Sequence, residues 1–118
     1  MEDETRKSKV VKALEEMIDN DEIEFEFDHW NKGGSLLAFM RIKMPPLVIK
    51  GFRLMESNFP NWRGEYISVM PPMITGKERS DKTIVFFIED KELWQKLAGK
   101  IIEKYYLDKK KGYGYVVE

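Results

Sequence analysis

The chain has no cysteine and one histidine among its 118 residues. Without thiols there is no disulfide framework and no thiolate zinc site, which fits a reducing compartment, so a cytoplasmic location is expected. With His29 as the only imidazole, no His pair or His-based metal cluster can form within one chain; His29 reads as a partly exposed histidine at a strand end. No apolar run approaches the roughly 18 residues that suggest a membrane span. The N-terminus, MEDETRKSKV, lacks the apolar stretch of a signal peptide. The Walker and dinucleotide phosphate-loop patterns are missing, since Gly33-Gly34 and Gly112-x-Gly114 fit neither. Ser35, Ser57, Ser68 and Ser80 lack a nucleophile-elbow setting. The expectation is a chain that is not an enzyme, uses no cofactor or metal and does not enter a membrane.

The composition is 42% hydrophobic and 35% charged, which describes one folded domain rather than a disordered segment. Net charge is −1, yet it is unevenly spread. Residues 1–28 hold 11 acids and 4 bases, and residues 29–118 hold 10 acids and 16 bases. Either the two parts are solvated faces that attract one another, or a basic body meets phosphate while the acidic arm tempers it.

Hydrophobic periodicity divides the chain. Residues 4–19 read as an amphipathic helix, with Val10, Val11, Leu14, Met17 and Ile18 on one stripe and Asn20-Asp21 at its end. Residues 22–28, EIEFEFD, alternate strictly, as a half-buried strand does; this makes Glu22, Glu24 and Glu26 a solvent face rather than paired catalytic carboxylates. Residues 31–35 form a glycine turn, 36–44 a return strand, and Pro45-Pro46 breaks it. Further strands are expected at 47–55, 65–70 and 83–88, with a long loop at 56–64 and a polar loop at 75–82. The last strand, TIVFFI, is apolar on both faces and so reads as central or covered. A second helix is expected at 91–106 with Asp90 as its N-cap, followed by a basic tail at 108–112 and either a short strand or a chain end at 113–117. The expected architecture is α+β: a five-stranded, meander-like antiparallel sheet with an N-terminal and a C-terminal helix on one face. Residues 1–21 form the N-terminal helical unit and 22–118 the sheet-plus-helix domain. The apolar surplus on the third and fifth strands requires helices on both faces or a partner chain, and a homodimer is a natural solution.

Three features could bind. Lys77, Arg79 and Lys82 form a basic loop that Glu78 and Asp81 largely cancel. Lys96, Lys100 and Lys104 recur every four residues and continue into Lys109–Lys111; the row is either a track for a phosphate backbone or an ordinary solvated helix face. Phe59, Trp62 and Arg63 sit on the long loop. They could stack on an unpaired base; the favoured alternatives are a loop folded back onto the sheet and a dimer contact.

Two short motifs carry a family resemblance. Phe52-Arg53-Leu54 is an apolar-Arg-apolar step on the third strand, and Gly64-Glu65-Tyr66-Ile67-Ser68-Val69-Met70-Pro71 resembles a Gly-x-Phe-x-x-Met-Pro segment. With the hairpin leading to Leu37-Ala38-Phe39 and a closing helix that carries Tyr105, residues 23 to about 106 resemble the SpoVG (stage V sporulation protein G) family. The chain departs from that family in its N-terminal helix of about 20 residues, in its longer loop at 56–63, and in a strand at Thr83–Ile88 with no His-Pro. The resemblance implies a cytosolic bacterial regulator, homodimeric through its sheet, that binds DNA and in some members RNA. Carried over by position, nucleic-acid contact falls to Lys96, Lys100 and Lys104, with Arg53, Lys77 and Arg79 as secondary candidates. The alternative is a module on the same fold that engages a protein partner through Phe59 and Trp62 or the N-terminal helix.

Overall fold

Strict alternation puts Phe25 and Phe27 on one side of a strand and Glu24, Glu26 and Asp28 on the other. In the computed structural model, which describes residues 8–75, 82–84 and 88–113, this segment is β1 (Glu24–His29). β2 (Leu36–Met44), β3 (Leu47–Glu56) and β4 (Ile67–Met70) follow, each antiparallel to the strand before it, in the order β1-β2-β3-β4. Proline supplies no ladder donor, and Pro45-Pro46 accordingly falls in the two-residue turn between the paired residues Met44 and Leu47.

Simple alternation would put Ile49 and Phe52 on opposite faces of β3. The register prevents this: Met40 pairs with Phe52 but Ile42 pairs with Ile49, so Lys50 and Gly51 together oppose Arg41. This is a β-bulge, and Gly51 adopts φ +101°, a conformation that L side chains rarely adopt. The extra residue keeps Ile49, Phe52 and Leu54 on one apolar face.

Both helices contribute to the core on that face. α1 (Lys9–Asp19) begins at Ser8, whose hydroxyl accepts from the Val11 amide at 3.1 Å. It therefore starts later than the expected residue 4; residues 4–7 lie outside the described residues. α2 (Lys91–Tyr113) is capped by Asp90, whose carboxylate accepts from the Leu93 amide at 2.8 Å, as expected. It runs past the expected end at 106 because Asp108 and Lys109 still find partners there, Asp108 at His29 and Lys109 over the Tyr105 ring. Ile18 of α1 and Leu93, Leu97, Ile101, Ile102 and Tyr105 of α2 join Met40, Ile42, Phe52, Leu54 and Ile67 in one buried cluster. Full burial of each large apolar side chain is worth about 1.5–3 kcal/mol.

The described start of the expected fifth strand does not extend this sheet. Lys82–Ile84 (β6) pairs with Met73–Thr75 (β5) in a separate two-stranded hairpin. Pro71-Pro72 ends β4 and redirects the chain, so the sheet has four strands. Residues 85–87 of the expected strand lie outside the described residues. Helices on both faces, one of the two expected ways to bury the apolar surplus, are not found, and the second sheet face carries no helix among the described residues.

Candidate nucleic-acid interface

The four-residue spacing of Lys96, Lys100 and Lys104 places them along one flank of α2, beside its buried stripe. That flank faces the C-terminal end of α1. Lys96 Nζ lies 2.7 and 2.9 Å from the two carboxylate oxygens of Asp19. Lys104 and Lys100 stand 3.2 and 3.6 Å from Asp21 Oδ1. Hydrogen bonding from Lys104, and then the charge of Lys100, hold the Asp21 carboxyl below its ordinary value. The row is neither bare nor merely solvated: three ammonium groups face two carboxylates.

Local backbone structure presents Asp21. The Asp21 amide donates to the Ile18 carbonyl at 3.3 Å, and the Glu22 amide donates to the Met17 carbonyl at 2.8 Å. These two bonds form a Schellman end to the helix, whose left-handed residue is usually glycine. Here it is Asp21 at φ +57°. Aspartate tolerates that conformation better than most residues.

The long loop meets α2 at Gly99, next to the lysine row, and its Arg63 lines one cleft with Asp19, Lys96 and Lys100. The Asn61 side-chain oxygen accepts from the amides of Arg63 and Glu65 at 2.8 and 3.0 Å, and its amide group donates to the Ile67 carbonyl at 3.1 Å. The loop thus held, Arg63 donates to the Gly99 carbonyl at 3.1 Å and lies 3.4 Å from Glu65 and 3.7 Å from Glu103. Fold-back onto the sheet is one of the two favoured alternatives; the loop bonds to β4 through Asn61 and also rests on α2 through Arg63, where a glycine at 99 leaves room for the guanidinium. Trp62 remains 47% exposed and Phe59 77%.

Arg53 is elsewhere, on the open face of the sheet between Phe39 and Met70, its register partners. On the same face Arg41 is paired with Glu26 and Asp28, at 2.7 and 2.9 Å, and Lys43 with Glu26 at 2.6 Å. Hydrogen bonds from Lys43 and then Arg41 lower the Glu26 carboxyl below its ordinary range. Among the described residues no carboxylate pairs with Arg53. Trp30 and Phe39 form an edge-to-face pair with ring centres 6.0 Å apart near this surface, and Lys32 lies over Trp30. Lys77 and Arg79 lie outside the described residues.

The structure therefore brings the three helix lysines together, sets Arg63 of the loop in one cleft with Lys96 and Lys100, and leaves Arg53 on the open face of the sheet. The partners that residue-by-residue reading missed are Asp19 and Asp21. Two signals pointed to them: the acid excess of residues 1–28, and acids at the end of a helix where basic residues are usual.

Leu14, Ile18, Ile49, Ile88 and Leu97 are among the side chains around an apolar cleft of about 250 Å³ between the helices and the sheet. It offers no polar side chain to orient a small molecule. Among the described residues no group of three His, Asp or Glu side chains could hold a metal ion, and no helix is long and apolar enough to cross a membrane. Comparison of the chain with protein-family models, with curated proteins and with solved structures finds no match.

Proposed function

We propose that this chain is a SpoVG-like regulator that binds nucleic acid, DNA or RNA, through α2. The observation that carries the proposal is the alignment of Lys96, Lys100 and Lys104 on one flank of a 23-residue helix. Four residues rise about 6 Å along a helix, so the row presents one flexible ammonium group at each of three successive turns. Such groups neutralise phosphates without reading bases. The family plan is five strands followed by one helix; β1 to β4 and the closing helix support the family reading, with Phe52-Arg53-Leu54 inside β3 and Val69-Met70-Pro71 at the end of β4, while Lys82–Ile84 departs from it by pairing with β5 outside the sheet. Phe39 at 40% and Val48 at 47% exposure on the uncovered sheet face support self-association into a homodimer.

The test is fluorescence anisotropy with labelled single-stranded and duplex DNA and RNA across a salt series, on protein whose oligomeric state is measured by light scattering. Binding through three lysines gives a log–log salt slope of about −2 to −3, because each neutralised phosphate releases counterions. Reversal of the row, Lys96→Glu, Lys100→Glu and Lys104→Glu, abolishes that slope. Undiminished binding by the triple variant removes the row from the interface.

A second reading has its own observation. Phe59 and Trp62 stand exposed on a loop that Asn61 and Arg63 hold in place, as suits a protein-binding anchor. It predicts a protein partner lost on Trp62→Ala, with little salt dependence and no nucleic-acid binding at low salt.

A further inference from the structure

We infer that Asp19 and Asp21 act as a built-in competitor for the phosphate backbone, occupying the lysine row until a polyanion displaces them. The inference rests on the nucleic-acid reading above. Its first support is geometric: two carboxylates meet all three lysines of the row, at 2.7, 3.6 and 3.2 Å.

The second support is that α1 is built against its own local preference to place them. Carboxylates at a helix C-terminus face the negative end of the helix dipole, and the last turn of α1 has no basic residue. The αL position that ends the helix normally takes glycine, yet Asp21 stands there. Both local costs are offset across space by ammonium groups of α2.

The third support is reversibility. Asp19 and Asp21 are 58% and 59% exposed, and the lysines 35%, 22% and 35%, so these pairs are weak and water-screened. A lysine can swing on its four-carbon stem to a phosphate, whereas Asp19 and Asp21 are short and stay in place. Ile18, buried beside Asp19, holds α1 down, so the carboxylates remain close to any bound phosphate. The corner therefore weakens polyanion binding without blocking it.

The test uses the full chain and a labelled mixed-sequence oligonucleotide, single-stranded and duplex. Asp19→Asn with Asp21→Asn removes both charges, and asparagine also suits the αL position. Glu24→Gln with Glu56→Gln makes the same change in net charge at exposed sites away from the row. We expect the first pair to tighten binding about five- to tenfold, the scale of a few exposed ion pairs, and the second pair less than twofold. Thermal melting confirms that both variants fold. Equal effects of the two pairs, with binding still weakened by reversal of the lysines, overturn the competitor and leave the interface standing. Binding that is indifferent to the lysine reversal, or absent in every variant, overturns the interface and the competitor with it.

Discussion

The guanidinium of Arg63 donates to the main-chain carbonyl of Gly99 at 3.1 Å, joining a loop and a helix that lie 36 residues apart in sequence. A Cβ at position 99 would come within 3.1 Å of the Arg63 Nη1 atom and 3.8 Å of the Trp62 ring. The missing side chain is therefore what allows the loop to rest on α2 with Trp62 at its edge. Arg63→Ala should cost about 1 kcal/mol and loosen the loop. Limited proteolysis should then cut within residues 57–66 faster than in the parent. An unchanged cleavage rate would show that Asn61 alone holds the loop.

Gly51, the one glycine within β1 to β4, should not accept a side chain without loss. At φ +101° a side chain is strained, and a Cβ would stand 3.2 Å from that of Pro72. Gly51→Ala should lower stability by about 2 kcal/mol, read as a fall in the urea midpoint with little change in slope. A loss below about 0.5 kcal/mol, the usual range for surface substitutions, would show that the bulge relaxes at little cost.

His29 and Asp108 join the end of β1 to the last turns of α2, with Nε2 2.6 Å from Oδ2. A double-mutant cycle of His29→Ala and Asp108→Ala should give a coupling of about 1 kcal/mol, modest because Asp108 is 46% exposed. Helical content should fall in Asp108→Ala as the end of α2 frays. Additive losses would mean that the contact stabilises nothing.

Stability should also fall in acid, and the two lowered carboxyls give the sign. Glu26 and Asp21 titrate below their ordinary values of 4.5 and 3.8 in the folded chain because cations bond their charged forms. A depressed folded value stabilises the fold above the unfolded value and is lost as pH falls through the folded one. Melting temperature should therefore be level from about pH 7 to about pH 5 and then decline as these groups protonate. Glu26→Gln should flatten part of that decline at low salt, and added salt should shrink the difference. An identical acid limb in the variant would remove Glu26 from the cause.

Local readings succeeded where the signal was repeated. The alternation from Glu24 to Asp28 and the stripe from Leu93 to Tyr105 each draw on several residues that agree, and both elements formed. Asp90 was legible as a cap because it immediately precedes the periodic stripe. Thr83–Ile88 misled because an apolar run shows that a segment can be buried but not which strand it pairs with. β6 paired with β5, and the sheet closed at four strands.

The sequence by itself determined the α+β class, the proline break between β2 and β3, and the regular placing of three lysines on one helix flank. Each follows from residues within a few positions of one another, where steric and hydrogen-bonding preferences act directly. Only the tertiary structure decided what those lysines face. Asp19 and Lys96 are 77 residues apart, and their 2.7 Å contact exists because Ile18 and Leu97 share a core that brings the end of α1 against α2. Such proximity depends on packing the whole chain, and an exposed charge has no periodicity that names its partner.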